Sequence, residues 1–418
     1  MRVLFVCPVD IGSGETITSI HFAEDLLASG HDVAFIASPF AERFIGAALP
    51  VPVHLFSDTG SDNFRLWRST VADFTPDVIV FADYPLMFFP LGVVPLARVP
   101  GWVDSLIELG ARLVTLDHFG FAQGKRTLFL GPPHLGLGML VLPALPDGME
   151  VMLPCPMHEP GPVDGRIGHP FRYWDVPFRL PPGLKEQTRS RYLDNEDGLL
   201  VFYAVPNWAW QYAERHRITL YDHLPELFSD FFSGYEKPVT LVSVNNGRLF
   251  DVGDDPRLRI INLGPCPKAD FEALLFAADL AVTDNKLSIS IGKAICGFQA
   301  SAVMKNSFGV LELMDRAEGT AREIVRRMER TRIGSVYPFD AFPTVTPKDV
   351  DQIGLYRDNG LPEGFLEVEV FGGAETREKL LSLAGDPVRR AEQRARQEIY
   401  VERLAKLPTG EAVLRSVC

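Results

Sequence analysis

Short apolar runs alternate with segments of helical periodicity along most of the chain, and this alternation predicts its fold. The first apolar run covers residues 3–6, and a polar turn, a helical pattern over residues 16–29 and a second apolar run at 33–37 follow it. Together they form a complete strand–helix–strand unit. Further strands are predicted at residues 53–56, 78–81, 113–116 and 151–153, with helices near 63–73 and 102–109. Alternation of this kind is typical of a doubly wound parallel sheet, in which residues 151–153 are interpreted as the last strand.

The pattern stops at residues 154–182, which are dense in proline and glycine, and then begins again. After a charged helical segment at 185–193, strands are predicted at residues 199–204, 239–244 and 259–262, and helices at 221–232, 271–277, 317–330 and 375–407. We therefore predict an α/β protein with two Rossmann-like parallel-sheet domains. Their predicted limits are residues 1–175 and 196–418, with a linker at 176–195, and the second domain ends in a long charged helix. Residues 333–374 show no periodicity that would assign them to a helix or a strand.

Residues 278–306 contain a strand–turn–helix–strand sequence, the repeating piece of an open parallel sheet. The apolar run 280–282 is followed by a polar turn, a helical pattern begins near Ser288, and Gly297 ends it before the apolar run 300–304.

The turn in this stretch carries Asn285, Lys286, Ser288 and Ser290 beside the first free N–H groups of the helix. Backbone donors, hydroxyl groups and a positive charge at a helix N-terminus suit a phosphate group. In the alternative interpretation Ser288 only caps the helix and Lys286 is a solvated surface charge.

Composition narrows the range of partners. The chain has 418 residues, of which 46% are hydrophobic and 23% charged, as expected of a globular protein with two domains. Its net charge is −13 and no dense block of lysine and arginine occurs, which argues against a nucleic-acid partner. The five cysteines are scattered without CxxC spacing, which predicts reduced thiols, a cytoplasmic location and no zinc site. The apolar runs are shorter than a membrane span, so we expect no membrane partner.

Two segments resemble the GT-B glycosyltransferases, in particular the group that acts on macrolides and other aglycones in bacterial antibiotic pathways. Residues 1–33 resemble the opening of that family, whose Gly-His pair falls on Gly14-Glu15, so that a glutamate stands where the family has its base histidine. Residues 279–299 resemble the donor-binding element of the family, whose His-Gly-Gly turn reads Asp284-Asn285-Lys286 here.

The resemblance implies the GT-B fold and an inverting, hexosyltransferase-type enzyme of natural-product biosynthesis. Such an enzyme moves a sugar from a nucleotide-diphosphate donor, bound by the second domain, to a small-molecule acceptor on the first. It needs no cofactor beyond the nucleotide sugar as co-substrate. No DxD triplet occurs at a predicted strand end, which weakens the case for an essential divalent metal. A homodimer is left open.

Four residues are candidates for the catalytic base and its partners. Glu15 lies at a helix N-terminus, where the helix dipole is expected to lower its pKa. Asp83 follows the predicted strand 78–81, and Asp117 and His118 follow 113–116, so all four are expected at one sheet edge. Either Glu15 takes the proton directly, or His118 is the base and a carboxylate orients it. In the alternative interpretation Glu15 merely complements the dipole and Asp117-His118 is a polar turn.

Other residues are candidates for donor binding. Asn207 and Trp208 follow the first strand of the second domain, Pro265 and Cys266 follow a strand where the resembling family places its nucleobase loop, and Lys305 ends the strand 300–304. Trp208 equally suits packing at the hinge, and Gly264-Pro265-Cys266-Pro267 a rigid turn.

An apolar acceptor cleft is predicted from aromatic and methionine side chains near strand ends, which suit the hydrophobic core equally well. These residues are Met87, Phe88, Phe89, Phe119 and Phe121.

Two other functions are compatible with the sequence. A sugar-nucleotide-modifying enzyme of the same fold, such as a 2-epimerase-like hydrolase, would explain the altered base position. A catalytically silent protein that binds a partner enzyme would bind nucleotide without turnover.

Overall fold

The computed structural model describes most of the chain, and every statement below concerns the described residues. These are residues 1–10, 13–88, 102–118, 120–123, 127–129, 139–141, 144–161, 165–195, 197–204, 210, 220–244, 258–264, 266–286, 288–308, 310–332 and 359–418. The chain divides into two compact units. The first comprises Met1–Asp175, Asp349–Asn359 and Arg403–Cys418, and the second comprises Val176–Lys348 and Gly360–Glu402.

The first unit is built on a seven-stranded sheet in the order β3-β2-β1-β4-β5-β8-β9, and every neighbouring pair in it is parallel. Its strands are β1 (Arg2–Cys7), β2 (Asp32–Ala37), β3 (Val53–Leu55), β4 (Val78–Phe81), β5 (Arg112–Leu116), β8 (Glu150–Cys155) and β9 (His169–Arg172). Its helices before β9 are α1 (Gly14–Ala28), α2 (Pro39–Ala48), α3 (Gly60–Phe74) and α4 (Trp102–Ile107). A separate antiparallel pair, β6 (Thr127–Phe129) and β7 (Met139–Val141), completes the unit.

The central strands of this sheet are apolar almost throughout because both of their faces are covered. Residues 3–6 of β1 and 78–81 of β4 are all buried. A continuous hydrophobic run is what a parallel strand between two layers of helices requires. The chain turns from one half of the sheet to the other between β1 and β4, and ligands of open α/β sheets bind at such a point, beyond the carboxyl ends of the strands.

The second unit repeats the plan with a six-stranded parallel sheet in the order β12-β11-β10-β13-β14-β15. Its strands are β10 (Leu199–Ala204), β11 (Val239–Val244), β12 (Leu258–Leu263), β13 (Leu280–Thr283), β14 (Ser301–Lys305) and β15 (Leu366–Glu369). Its helices are α5 (Leu184–Tyr192), α6 (Leu220–Phe232), α7 (Lys268–Ala277), α8 (Ile289–Cys296), α9 (Val310–Arg316), α10 (Gly319–Arg332) and α11 (Ala374–Gly385). Here the order of the strands reverses between β10 and β13. The predicted fold class, with two Rossmann-like parallel sheets, is confirmed.

Several elements differ from the prediction. The sheet of the first unit does not end at β8, because β9 adds a further strand inside the proline- and glycine-rich segment. β9 is an edge strand, where a proline such as Pro170 is tolerated since one side of the strand needs no ladder hydrogen bond. The helix predicted over 375–407 is two helices, α11 and α12 (Pro387–Ala405), because Pro387 begins a new helix and cannot continue the preceding one. Helix α2 and the β6–β7 pair were not predicted.

The C-terminal residues, which the sequence assigned to the second domain, pack within the first unit. Helix α13 (Gly410–Val417) approaches α1 so closely that a Cβ atom on Gly410 would lie 2.7 Å from the ring of Phe22. The backbone N–H of Arg172 donates to the carbonyl of Pro408 at 3.0 Å, and His31 Nε2 lies 3.1 Å from Glu411 Oε1. Long-range packing of this kind leaves no local signal in the sequence.

None of the helices in the described part of the chain combines the length and the apolar character that crossing a membrane requires.

Candidate functional site

The four predicted catalytic residues lie together at the carboxyl edge of the first sheet. Glu15 is in the first turn of α1, Asp83 lies two residues beyond β4, and Asp117 and His118 directly follow β5. All four are buried, with exposed fractions between 0% for Asp117 and 8% for Glu15. They are close enough to interact electrostatically, Glu15 with both His118 and Asp83, and Asp117 with both Asp83 and His118. The structure therefore brings together residues that stand up to about a hundred positions apart.

Asp83 holds the loop that carries His118. Its Oδ2 accepts a hydrogen bond from the backbone N–H of His118 at 3.2 Å and lies 3.8 Å from the Nδ1 atom of the same imidazole. Its Oδ1 accepts from the backbone N–H of Leu86 at 3.1 Å. A carboxyl group that binds the backbone N–H of His118 and faces its ring fixes the position of the imidazole.

Asp117 has a different task, which is to shape the chain after β5. Its two carboxylate oxygens accept hydrogen bonds from the backbone N–H groups of Phe121 at 2.8 Å and Ala122 at 3.0 Å. These bonds satisfy free donors at the start of the short 3₁₀ helix Phe121–Gln123. Asp117 is therefore a turn anchor as well as a neighbouring charge of His118.

Burial controls the protonation of this cluster. Desolvation raises the pKa of Glu15, against the expectation from the helix dipole, because losing the solvation of a carboxylate outweighs the partial charge of one helix terminus. Desolvation also raises the pKa of Asp83 and of Asp117, and the charge of Asp83 raises the pKa of Asp117 further. The pKa of His118 is lowered by burial, although the carboxylates of Glu15 and Asp117 act in the opposite direction. The cluster thus favours a neutral imidazole beside carboxyl groups that hold protons more tightly than usual.

A second histidine, His158, joins this cluster and was not singled out from the sequence. It follows β8 and is buried, and its Nε2 atom contacts the backbone carbonyl of Asp117. Burial lowers the pKa of His158 to about 4. The adjacent Glu159 pairs with Arg403, and Asn359 Nδ2 donates to the carbonyl of Met157 at 2.9 Å. The proline-rich context of His158 indicated a linker, so the sequence offered no signal for its burial.

The second predicted cluster lies at the carboxyl end of β13, in the turn that leads to α8. Ser288 is the N-cap of α8, and its hydroxyl accepts a hydrogen bond from the backbone N–H of Ser290 at 3.2 Å. The backbone N–H of Ser288 donates to the carbonyl of Asn285 at 3.0 Å, and the N–H of Asn285 donates to Thr283 Oγ1 at 3.2 Å. Lys286, in the same turn, is half-buried. The capping role of Ser288 is thus observed, and the turn is ordered by its own hydrogen bonds.

Asp284 is the first residue of this turn and is 3% exposed. Its Oδ2 accepts hydrogen bonds from the hydroxyl groups of Tyr221 at 2.8 Å and Tyr203 at 3.3 Å. Burial raises the pKa of Asp284 to about 6, although the two tyrosine hydrogen bonds act in the opposite direction. The sequence places Asp284 in the donor-binding turn but does not predict its tyrosine partners, because they stand on β10 and α6, far away along the chain.

The remaining donor-binding candidates are placed less favourably for contact with a nucleotide-sugar donor. Lys305 Nζ donates to Glu367 Oε2 at 2.6 Å and lies 4.0 Å from Glu369 Oε1, so its charge faces two carboxylates of β15. Cys266 is half-buried against the core, and burial raises its pKa to about 11, which leaves a protonated thiol. Asn207, Trp208 and Pro265 lie outside the described residues.

Part of the predicted acceptor cleft belongs to the hydrophobic core. Met87 is buried in the core of the first unit and Phe88 packs against it. Phe121 is also buried, whereas Phe89 and Phe119 lie outside the described residues. Among the residues that the structure describes, no group of three or more His, Cys, Asp and Glu side chains is arranged to hold a metal ion.

Most of the chain matches a known protein family. Residues 22–418 match the model of a "Family of unknown function (DUF6365)". The curated proteins give no match.

Among solved structures, the spinosyn rhamnosyltransferase SpnG complexed with spinosyn aglycone is 14% identical, with a TM-score of 0.54 over 100% of both chains. The glycosyltransferase VinC in complex with DTDP is 14% identical, with a TM-score of 0.52 over 100% of this chain and 98% of VinC. The glycosyltransferase SnogD from Streptomyces nogalater is 14% identical, with a TM-score of 0.50 over 100% of this chain and 99% of SnogD. The likeness at this level of identity concerns the fold, which agrees with the resemblance read from the sequence. The chain therefore belongs to the family of unknown function DUF6365, and its fold is the GT-B fold of the macrolide and antibiotic glycosyltransferases.

Proposed function

We propose that this protein is a glycosyltransferase that moves a sugar from a nucleotide-diphosphate donor to a small-molecule acceptor of the natural-product class. The observation that carries the proposal is the capped turn between β13 and α8, at the point where the strand order of the second sheet reverses. Similar folds belong to proteins described as complexed with DTDP and with spinosyn aglycone.

The turn suits the diphosphate for physical reasons. The first N–H groups of α8 carry the positive end of the helix dipole, and the hydroxyl groups of Ser288 and Ser290 lie beside them. Lys286 supplies a positive charge in the same turn. Such groups bind a diphosphate and stabilise the negative charge that it gains when the bond to the sugar breaks.

The buried cluster of carboxyl groups and His118 in the first unit can remove a proton from the acceptor hydroxyl group. His118 is kept neutral by burial and can accept the hydroxyl proton, while the charges of Glu15 and Asp117 favour the resulting imidazolium. The acceptor oxygen then forms its bond to the anomeric carbon of the sugar, and the nucleoside diphosphate leaves. Glu15, whose raised pKa makes it a stronger base than an ordinary glutamate, is the second candidate for the same step.

The proposal is tested by calorimetric titration with nucleoside diphosphates and nucleotide sugars. We expect binding by the wild-type protein and at least a fivefold loss of affinity in both Lys286→Ala and Ser288→Ala, since each removes a group that binds the diphosphate. Lys185→Ala and Ser190→Ala, exposed positions on α5 of the same unit, serve as matched controls. Unchanged affinity in both site variants would exclude the turn as the diphosphate site.

Turnover then separates the three functions. A glycosyltransferase releases the nucleoside diphosphate when an acceptor is added. Release without any acceptor would instead favour a sugar-nucleotide-modifying enzyme, and tight binding without turnover would favour a silent partner protein.

A further inference from the structure

The peptide group between Asp117 and His118 is held from both of its sides. Its N–H belongs to His118 and donates to Asp83 Oδ2 at 3.2 Å, and its carbonyl belongs to Asp117 and accepts from Nε2 of His158. Because a peptide group is planar, these two hydrogen bonds fix the orientation of the plane and the direction in which the side chain of His118 leaves the backbone. His158 therefore influences the position of the candidate base from 41 residues further along the chain.

The chemistry of the two partners decides which nitrogen of His158 carries the proton. A carbonyl oxygen only accepts hydrogen bonds, so Nε2 is the donor. Burial lowers the pKa of His158 to about 4, and its imidazole is therefore neutral near pH 7, with its one proton on Nε2. A neutral donor suits this position, because His158 is close enough to His118 for a charge on one imidazole to oppose a charge on the other.

The chain on both sides of His158 is fixed by contacts with distant residues. His158 itself is 7% exposed. The carbonyl of Met157 accepts from Asn359 Nδ2 at 2.9 Å, and the carboxylate of Glu159 pairs with Arg403. The Nε2–H group of His158 is therefore presented to the Asp117 carbonyl by a segment that is itself anchored.

We propose that His158 is a positioning residue, whose Nε2–H group, bonded to the Asp117 carbonyl, holds the His118 imidazole where it accepts the proton of the acceptor hydroxyl. This inference rests on the proposed function and adds to it a residue that acts through another and does not touch the substrate. No proton is transferred to or from His158. Loss of this hydrogen bond should lower kcat, which depends on where the base stands, and leave the KM of the donor nearly unchanged, because the proposed donor site lies in the second unit.

Two amide side chains separate the hydrogen bond from the other effects of replacing the ring. In His158→Gln the amide nitrogen reaches the place of Nε2 and can still donate to the carbonyl. In His158→Asn the amide nitrogen falls near the place of Nδ1, one atom short of that bond. His169→Asn serves as the matched control, because His169 is an exposed histidine at the start of β9 in the same unit.

The first measurement is made by NMR on the full chain and needs no substrate. Labelling histidine alone with ¹⁵N reduces the spectrum to nine residues, in which His158→Gln and His118→Gln identify the signals of the two histidines. In the wild type near pH 7 we expect His158 to show a slowly exchanging proton on Nε2. The amide and imidazole signals of His118 should keep their positions in His158→Gln and His169→Asn and shift in His158→Asn.

The second measurement is kinetic. Release of nucleoside diphosphate is followed with thymidine diphosphate glucose and uridine diphosphate glucose as donors and 4-methylumbelliferone as a phenolic acceptor. We expect His158→Asn to lower kcat by about 10- to 100-fold with the donor KM within about twofold of wild type, since a small displacement of a catalytic group costs this much. His158→Gln should keep kcat within about threefold of wild type, and His169→Asn should leave it unchanged.

The outcomes distinguish this inference from the proposed function. Unchanged His118 signals in His158→Asn, a wild-type His158 with its proton on Nδ1, or equal losses of kcat in His158→Gln and His158→Asn would overturn the inference and leave the proposed function standing. A wild type that neither binds nucleotide nor turns over would overturn the proposed function, while the NMR comparison still decides whether His158 positions His118. If His158→Asn melts well below the wild type, the wild-type tautomer and the His118 signals in His158→Gln decide the question.

Discussion

Gly297 ends helix α8, which carries the proposed diphosphate site, and it lies against the ring of Phe276 on α7. A Cβ atom at position 297 would lie 2.1 Å from Cε1 and 2.7 Å from Cδ1 of that ring. The backbone of Gly297 has φ −103° and ψ 9°, which alanine adopts without strain. The change Gly297→Ala therefore tests steric fit alone.

The size of the expected loss of stability follows from the packing of the Phe276 ring. Ordinary van der Waals contact begins at 3.4 Å, so the ring edge must withdraw by 3.4 − 2.1 = 1.3 Å. Phe276 is 6% exposed and stacks on Phe178 with centroids 4.7 Å apart, and this neighbour restricts its withdrawal. Overpacking of this kind costs about 2 kcal/mol. That cost corresponds to a loss of about 30-fold in the folding equilibrium and of about 4–8 °C in Tm for a unit of this size.

Chemical denaturation of Gly297→Ala, followed by circular dichroism, measures this cost. Gly264→Ala is the control, because Gly264 is exposed and has no atom within 4 Å of the added Cβ. In the double variant Gly297→Ala/Phe276→Leu the ring edge is absent, so the two changes should cost less together than the sum of the single changes. A loss below about 0.5 kcal/mol in Gly297→Ala, or strict additivity in the double variant, would refute the steric argument.

Two further predictions concern the cluster of the first unit. Glu15→Gln should lower kcat at least tenfold and leave donor affinity within about twofold of wild type, because a base or its charged partner acts only in the chemical step. Steady-state kinetics measures kcat and calorimetry measures donor affinity. An unchanged kcat would remove Glu15 from the mechanism. Asp83→Asn should flatten the pH dependence of stability. The folded-state pKa of Asp83 is raised above its unfolded value, so the associated stability is present at acidic pH and is lost as pH rises through the folded-state pKa. In urea denaturation between pH 5 and pH 9, the free energy of unfolding of the variant should therefore rise relative to that of the wild type as pH increases. Parallel pH dependences of the two free energies would contradict a raised pKa of Asp83.

Much of the fold could be predicted because its signals are local. Strands such as β1 and β13 are short apolar runs, and the start and end of α8 are set by Ser288 and Gly297, whose roles depend on a few neighbouring residues. The order of these elements is enough to predict parallel sheets, because a strand–helix–strand connection returns the chain to the same edge. For that reason the sequence alone places Glu15, Asp83 and His118 at one edge of the sheet.

The tertiary structure alone decided the pKa shifts and hydrogen-bond partners that depend on contacts between distant residues. The pKa of Glu15 is raised although its helix position predicts the opposite, because burial is a property of the packed unit. The pairing of Asp284 with Tyr203 and Tyr221 spans 81 and 63 positions, and the contact of His158 with Asp117 spans 41. Periodicity and capping act over a few residues, whereas desolvation and hydrogen bonding between separate elements exist only once the sheets have formed. The sequence by itself therefore determined which elements form and which strand ends carry polar residues, and the packed fold determined which of those residues are buried and how burial shifts their pKa values.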